Sequence, residues 1–289
     1  MLHYIREVDP YAAELYAKVP KGKRLRAKLI LRIAGEREET EKLAAIVELI
    51  HAASLLHDDV IDEAMTRRGI ASINATYDSK TAVMLGDILY SKAFFELSRL
   101  PQFVAEKISD AVAKLSAGEL LDVAYSDAIQ TDEAKYFDVI YKKTAVLIEA
   151  TAESAAYLAN KERAPFALYG KNLGLAFQII DDVLDITSES EKLGKPALAD
   201  FKEGKTTLPY IYLFESLKGT EREKLQGLFK KELDAEASAW IKEKMSESGA
   251  VMRAVALAQK LGREALEAIA KDRNPALEKV IVDMIEREF

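Results

Sequence analysis

The stretch AAIVELIHAASLLHDDVID, residues 44–62, decides how this chain folds. It lies inside a longer segment, 39–64, in which apolar residues recur at helical spacing without an interrupting glycine or proline. A helix of about 25 residues is about 37 Å long, enough to cross a whole domain. Because the middle of this helix is apolar on nearly every side, we expect neighbouring helices to bury it.

The rest of the sequence also has the pattern of a helical protein. Only 13 glycines and 7 prolines occur among 289 residues, and no segment has the alternating pattern of a strand. No repeat or linker interrupts the pattern, so the sequence predicts a single all-α domain over residues 1–289, a bundle of about 10–13 helices. The predicted helices cover residues 10–17, 24–35, 39–64, 79–99, 102–116, 118–128, 132–159, 165–186, 207–218, 221–230, 234–247, 250–271 and 275–287.

Composition narrows the functional classes. A net charge of −7 and the lack of a long basic run argue against nucleic acid as a partner. The chain has no cysteine, which is compatible with a cytoplasmic location and excludes thiolate chemistry. Residues 1–16 do not resemble a secretory signal, and no apolar run is long enough to predict a membrane span.

Two aspartate clusters share the spacing D-D-x-x-D. Asp58, Asp59 and Asp62 end the segment quoted above, and the spacing recurs in FQIIDDVLDITS as Asp181, Asp182 and Asp185. On a helix such carboxylates share part of one face, and they repel one another at the end where the helix dipole disfavours anions. One such cluster is commonly a solvated surface, but two after buried helices indicate function. Mg²⁺ relieves both penalties, and it is commonly held by one or two carboxylates together with substrate phosphates.

Basic residues accompany the aspartates. KGKRLRAK, residues 21–28, places a glycine among five cations, Arg67 and Arg68 follow the first cluster, and Lys202 and Lys205 follow the second. Arginine gives planar paired donors to phosphate oxygens, and a glycine lets the backbone approach a ligand. His51 lies two helical turns before Asp58 on nearly the same face, so it is a candidate for the same site, whereas His57 is expected to face elsewhere.

In order and spacing these motifs resemble the trans-prenyl diphosphate synthases, in particular the medium-chain and long-chain bacterial members such as octaprenyl diphosphate synthase. The resemblance covers residues 21–209 and rests on GKRLR, LLHDDVIDEAMTRRG, AVMLGDILYSKAF, KTAVL, FQIIDDVLD and GKTTLP. It implies the isoprenoid synthase fold, a helical bundle around a deep central cavity. Lys21 and Ala27 stand where the family usually has glycine and proline.

The resemblance implies a role for each matching residue. Asp58, Asp62 and Asp181, supported by Asp59, Asp182 and Asp185, would hold three Mg²⁺ ions on an allylic diphosphate, with Asp185 among the metal ligands. The same diphosphate would contact Arg67, Lys143 and Lys205, with Thr144 and Gln178 as polar contacts. Isopentenyl diphosphate would be bound without metal by Gly22, Lys23, Arg26, His51 and Arg68.

The implied reaction is ionisation of the allylic diphosphate, head-to-tail (1'-4) attack by the homoallylic double bond, and proton loss, with no protein nucleophile or base. Product length would depend on Ala53 and Ser54, one turn before Asp58, because small side chains leave room for a long chain. We therefore expect an all-trans polyprenyl diphosphate for quinone side chains, with octaprenyl as the leading length. Phe94, Phe95 and Phe103 are candidates for the floor of the pocket, although each fits the core better.

Four other functions remain open. A farnesyl or geranylgeranyl diphosphate synthase would share every motif and stop earlier. A terpene cyclase would not need GKRLR or the Arg67–Arg68 pair, and a non-catalytic partner subunit would be expected to lack aspartates. An HD-type phosphohydrolase, suggested by His57–Asp58, would need more histidines.

The family further implies a homodimer, and its apolar product implies transient contact with a membrane.

Overall fold

The computed structural model describes residues 1–187 and 198–285, with side chains as far as residue 283. Apart from one short hairpin, the regular structure of this part of the chain is helical, which confirms the all-α prediction. The first helices and the hairpin are α1 (Leu2–Arg6), α2 (Pro10–Lys18), α3 (Leu25–Ala34), α4 (Glu38–Ile61), β1 (Thr66–Arg67), β2 (Ile70–Ala71), α5 (Ile73–Thr76), α6 (Ser79–Leu97) and α7 (Gln102–Tyr125). There follow α8 (Glu133–Ile140), a π-helical segment (Tyr141–Ala145), α9 (Val146–Leu158), α10 (Arg163–Thr187), α11 (Ala199–Lys202), α12 (Leu208–Ser216), α13 (Gly219–Leu228), α14 (Ala235–Glu247), α15 (Ala250–Ala268) and α16 (Pro275–Ile285).

The chain divides into two compact units. The first comprises Met1–Val112 and Ala150–Phe166, and the second comprises Ala113–Glu149 and Ala167–Phe289. A single domain over the whole chain remains a prediction. Within the part of the chain that the structure describes, no helix combines the length and the apolarity needed to cross a bilayer.

Helix α4 is the core of the first unit, where it packs against α3, α5 and α6. Leu43, Val47 and Ile50 are completely buried along it, and each contributes about 1.5–3 kcal/mol relative to an exposed side chain. At its start the Arg37 amide donates to Thr40 Oγ1 at 3.0 Å, and three glutamates in the first turn complement the helix dipole. The long buried helix predicted from the sequence is therefore present.

The end of α4 leads directly into the hairpin. The helix ends at Ile61, Asp62 is its C-cap, and Glu63 adopts a left-handed backbone with φ of 50°. Arg67 pairs with Ile70, and the two turn residues between them, Arg68 and Gly69, also have positive φ. This is the geometry of a tight two-residue hairpin turn. The sequence prediction missed the strands because each is only two residues long.

The second unit is built around α12, whose first seven residues are all buried. Helices α8, α14 and α15 pack against it. The Tyr169 hydroxyl donates to the Leu277 carbonyl at 2.9 Å and ties α10 to α16 within this unit. A helix this apolar needs cover on all sides, which the amphipathic α15 helps to provide.

Two predicted boundaries in this region were wrong. Helix α7 continues through residue 117, where the sequence predicted a break just before Gly118, and the predicted helix 132–159 contains a π-helical segment. The two observations are linked, because a Cβ on Gly118 would lie 2.5 Å from the backbone nitrogen of Lys143. Gly118 therefore lets α7 approach the π-helical backbone closely rather than ending the helix.

Candidate active site

The aspartates of the first cluster differ in exposure. Asp58 is half-buried and Asp62 is exposed, whereas Asp59 is buried. The Asp62 amide still donates to the Asp58 carbonyl at 2.8 Å, so the last helical turn keeps these two residues close together. Two carboxylates of this cluster therefore reach solvent, and the third is buried in the protein.

Asp59 is bound by Arg67 of the hairpin. Both Nε and a terminal nitrogen of Arg67 donate to Asp59 Oδ1, at 2.7 and 2.6 Å. The Asn74 amide donates to the backbone carbonyls of Asp59 and Ala64, at 3.0 Å each, and holds the chain between α4 and α5. Asp59 thus fixes the position of Arg67 beside the exposed aspartates.

The basic loop before α3 lies against the turn of the hairpin. A Cβ on Gly22 would come 2.6 Å from an Arg68 nitrogen, so the loop backbone and the end of the Arg68 side chain lie close together. Arg26 Nε is buried and makes no hydrogen bond within the described residues. The Ala27 amide donates to Glu48 Oε1 at 3.0 Å, a bond that a proline at this position could not make. Lys23 is exposed in the same loop.

His51 lies among these arginines. Burial lowers the pKa of His51 well below its ordinary value, and the charges of Arg26, Arg68 and Arg67 lower it further. Because neighbouring positive charges act on it, the imidazole is neutral near pH 7. The first unit therefore brings together Gly22, Arg26, His51, Arg67 and Arg68, a group whose positive charge would attract an anion.

His57 faces away from this group, as the sequence predicted. Its Nε2 lies 3.2 Å from the Val83 carbonyl and 3.4 Å from Asp87 of α6. Its ring also packs at 5.6 Å from Tyr90.

A cavity of about 170 Å³ in the second unit contains the second cluster. Its lining includes every residue of this unit to which the family resemblance assigned a role except Thr144, together with four more acidic or phenolic side chains. These residues are Lys143, Gln178, Asp181, Asp182, Asp185 and Lys205, joined by Asp122, Tyr125, Tyr136 and Asp200. Thr144 reaches this set by donating from Oγ1 to Gln178 Oε1 at 2.7 Å.

Lys143 projects from the π-helical segment and is held by α7. Its Nζ lies 2.9 Å from Glu119 and 2.6 Å from Asp122. Burial alone would lower the pKa of Lys143, but the charges of Asp122 and Glu119 outweigh it and raise the pKa above its ordinary value, despite the opposing charge of Lys205. Lys143 is therefore a fixed cation. A π-bulge of this kind is often found at functional sites.

Asp182 is buried, and both of its oxygens are hydrogen-bonded. Tyr136 donates to Oδ2 at 2.6 Å, and Gln178 Nε2 donates to Oδ1 at 2.9 Å. Burial, followed by the charge of Asp200, raises the pKa of Asp182, while these two hydrogen bonds oppose the rise. Burial and the charge of Asp182 also raise the pKa of the Tyr136 phenol, which therefore remains a donor.

Asp185 is also buried and organises the loop that carries Lys205. Its Oδ2 accepts from the Asp200 amide at 3.2 Å, and its carbonyl accepts from the Leu198 amide at 2.8 Å. The Lys205 amide in turn donates to the Asp200 carbonyl at 2.7 Å. Asp181, in contrast, is exposed.

The exposed carboxylates of each unit, taken by itself, are suited to a divalent cation, although the described residues contain no group of three acidic or histidine side chains already placed to hold one. Asp58, Asp62 and Asp181 reach solvent, and carboxylate oxygens are the ligands that Mg²⁺ prefers. Asp181 and Asp200 both raise the pKa of Asp182, so negative charge accumulates there and a bound cation would relieve the repulsion.

Sequence reasoning missed Glu119, Asp122 and Tyr136. The sequence does carry a signal for each of them. Glu119 and Asp122 are spaced i,i+3 on one helix face, and Tyr136 precedes Lys143 by seven residues, which is two helical turns. None of these spacings identifies a partner without the structure.

The proposed product-length residues are buried on α4. Ala53 is 0% exposed, and Ser54 is 5% exposed with its hydroxyl donating to the His51 carbonyl.

Phe95 is wrong as a pocket floor because it is 50% exposed, with Lys92 and Arg99 over its ring. Phe103 is covered by Arg163 and Tyr157. Phe94 stacks on Tyr90, whose pKa is raised by burial and by the charge of Asp58.

Comparisons with known proteins agree with these motifs. The family model described as polyprenyl synthetase matches residues 11–245. An all-trans-nonaprenyl-diphosphate synthase (geranyl-diphosphate specific) of Rhodobacter capsulatus is 40% identical over 210 residues, 70% of this chain and 65% of the relative. A short chain isoprenyl diphosphate synthase of Methanothermobacter thermautotrophicus is 37% identical over 216 residues, 71% of this chain and 66% of the relative. The matched region thus spans just under two thirds of the length of each relative.

Solved structures agree over a greater length. The octaprenyl pyrophosphate synthase of Helicobacter pylori has a TM-score of 0.94 at 44% identity, covering 99% of this chain and 95% of the other. A polyprenyl synthase of Caulobacter crescentus, complexed with calcium and isoprenyl diphosphate, has a TM-score of 0.85 at 28% identity, covering 100% and 98%. The chain belongs to the polyprenyl synthetase family.

Proposed function

We propose that this protein is a Mg²⁺-dependent prenyltransferase that condenses isopentenyl diphosphate repeatedly with an allylic diphosphate to give an all-trans polyprenyl diphosphate. The observation that carries the proposal is the anion site formed by Arg26, His51 and Arg68. This site contains none of the cluster aspartates, so it suits a diphosphate that is bound without metal. A second diphosphate then remains for the aspartates.

The allylic diphosphate is assigned to the aspartate clusters. Asp58, Asp62 and Asp181 are the exposed carboxylates, and three Mg²⁺ ions are proposed from the family resemblance. The Caulobacter crescentus relative complexed with calcium and isoprenyl diphosphate supports a divalent cation in this fold. Mg²⁺, when bound, neutralises the departing diphosphate.

The remaining residues stabilise charge and exclude water. Lys143 and Lys205 are cations of the second unit, and Arg67 is held beside the first cluster by Asp59. Fixed charges that need no rearrangement during ionisation lower the barrier more than mobile ones do. Gln178 and Thr144 present a fixed amide and hydroxyl, and no protein base is needed because the departed diphosphate accepts the proton.

Octaprenyl is the proposed product length. The Helicobacter pylori octaprenyl pyrophosphate synthase supports it with 44% identity over nearly the whole chain, and the nonaprenyl relative also makes a long product by its name. A short-chain product is the second candidate, supported by the Methanothermobacter thermautotrophicus relative.

Product analysis tests this function. Purified protein is incubated with Mg²⁺, labelled isopentenyl diphosphate and, in separate reactions, geranyl or farnesyl diphosphate, and the products are separated by chain length. We expect a ladder that ends near octaprenyl and disappears with EDTA. A stop at fifteen or twenty carbons contradicts the long product only, whereas no elongation at all contradicts the synthase and favours a cyclase or a partner subunit.

A homodimer in the cytoplasm, with transient membrane contact for release of the product, completes the proposal. It rests on the family resemblance and on the apolar character of the product. Light scattering after size exclusion should give twice the chain mass of 32.1 kDa, and a value near the chain mass would contradict the dimer.

A further inference from the structure

Tyr136 lies outside every motif identified in the sequence, yet it contacts the second aspartate cluster. It projects from α8 and is 8% exposed, and its hydroxyl donates to Asp182 Oδ2 at 2.6 Å. Asp182 itself is 3% exposed. A hydrogen bond to a buried carboxylate is one of the stronger interactions in a protein interior.

The Tyr136 hydroxyl begins a chain of hydrogen bonds that ends at two predicted substrate contacts. Gln178 Nε2 donates to Asp182 Oδ1 at 2.9 Å, and Thr144 Oγ1 donates to Gln178 Oε1 at 2.7 Å. The two oxygens of Asp182 accept one hydrogen bond each, from the Tyr136 hydroxyl and from the NH₂ end of the Gln178 amide. The carbonyl end of that amide is then directed towards Thr144.

We propose that Tyr136 is a positioning residue that acts through Asp182 to fix the orientation of the Gln178 amide in the cavity. Tyr136 and Gln178 hold one oxygen each of the same carboxylate. Without Tyr136, one oxygen of Asp182 loses its donor and the carboxylate is free to rotate, which misplaces the amide. This role rests on the proposed function, in which Gln178 is a polar contact of the allylic diphosphate.

A matched pair of Tyr→Phe variants separates positioning from stability. Tyr136→Phe removes the hydroxyl that bonds Asp182, and Tyr169→Phe removes another buried hydroxyl, which bonds the Leu277 carbonyl at 2.9 Å. Both changes conserve the ring. We expect Tyr136→Phe to lower kcat about 10–100-fold with the KM for each diphosphate within about twofold, since only an interaction in the transition state is lost. Tyr169→Phe should leave kcat unchanged while it lowers Tm.

The double variant Tyr136→Phe/Gln178→Ala tests the route through Gln178. If Tyr136 acts through this amide, the double variant has the same kcat as Gln178→Ala alone. A kcat of Tyr136→Phe within twofold of wild type, a rise in KM at unchanged kcat, or fully additive losses in the double variant would each overturn the proposal.

A measurement that does not depend on activity accompanies the kinetics. With glutamine side chains labelled by ¹⁵N and the Gln178 signal assigned by its loss in Gln178→Ala, we expect its NH₂ protons to exchange at least tenfold faster in Tyr136→Phe than in wild type or Tyr169→Phe. Equal exchange rates would overturn the positioning role. If the wild-type chain does not elongate, the proposed function fails, while this exchange still decides whether Tyr136 fixes the amide.

Discussion

Asp59 and Asp182, the second aspartates of their clusters, are buried and hydrogen-bonded, whereas Asp58, Asp62 and Asp181 reach solvent. The sequence identified all of these carboxylates but could not separate the two groups. Burial of Asp59 depends on Arg67, eight residues further on in a hairpin, and burial of Asp182 depends on Tyr136, 46 residues earlier. Side-chain partners at such distances are set by packing rather than by local pattern.

The Arg67–Asp59 pair should matter for stability. Arg67→Ala leaves the buried Asp59 carboxylate without its cation, so we expect the free energy of unfolding to fall by about 1–3 kcal/mol. Arg68→Ala, the neighbouring change at an exposed turn residue, should change it by less than about 0.5 kcal/mol. Urea unfolding at pH 7.5 measures both, and equal losses would contradict the structural role of Asp59.

His51 should make stability depend on pH. Its pKa is lowered in the folded protein by burial and by three arginines, so the unfolded chain binds its proton more tightly. The contribution of neutral His51 to the free energy of unfolding is therefore fully present above the unfolded pKa of about 6.5. It is lost as the pH decreases below that value, by at most about 1.4 kcal/mol per pH unit.

A histidine variant isolates this effect. His51→Gln should flatten the fall in unfolding free energy between about pH 6.5 and pH 5. Denaturant unfolding at a series of pH values provides the curve, and parallel curves for wild type and His51→Gln would refute the assignment.

At the scale of elements, α4 was predictable and the structure around Lys143 was not. A long apolar helix without glycine or proline has one structural interpretation, so the sequence located α4 and the aspartates at its end. The π-helical segment and the continuation of α7 through Gly118 depend on the close approach of two backbones. The hydrophobic periodicity of neither segment indicates that the two backbones approach each other.

Gly118→Ala should separate α7 from the π-helical segment. The new methyl group would lie 2.5 Å from the Lys143 backbone nitrogen, and we expect a stability loss of about 1–3 kcal/mol together with a loss of activity as Lys143 moves. Gly227→Ala in α13 is the matched change, since a Cβ there meets nothing within 4 Å.

The Gly227→Ala variant should be neutral or more stable by up to about 1 kcal/mol, because alanine favours the helix. Thermal unfolding and elongation assays on both variants give the comparison. Wild-type activity in Gly118→Ala would show that Lys143 does not need this backbone contact.

At the scale of the whole molecule, product length should respond to side-chain volume on α4. Ala53→Phe and Ser54→Phe place a large ring one turn before Asp58, so we expect products shortened to about fifteen or twenty carbons. Ala52→Phe, at a half-buried neighbour about 100° around the helix, should retain the wild-type product. Chain-length separation decides, and unchanged ladders in Ala53→Phe and Ser54→Phe would refute the assignment.

The single-domain prediction is tested by cooperativity. The sequence shows no linker, and the boundaries between the two compact units fall within α7, α9 and α10 rather than within loops. We expect one calorimetric transition with equal calorimetric and van't Hoff enthalpies. Two resolved transitions would show that the units unfold independently.

The π-helical segment also sets the rotational phase of the chain before it. Each residue of an α-helix turns the chain by about 100°, so deleting one residue from Tyr141–Ala145 would rotate α8 by about that angle relative to Val146. Tyr136 would then point to another side of the bundle, far from the carboxylate it bonds. Deleting one residue from this segment would therefore change the direction of every side chain on α8. The length of the segment is as critical as its composition.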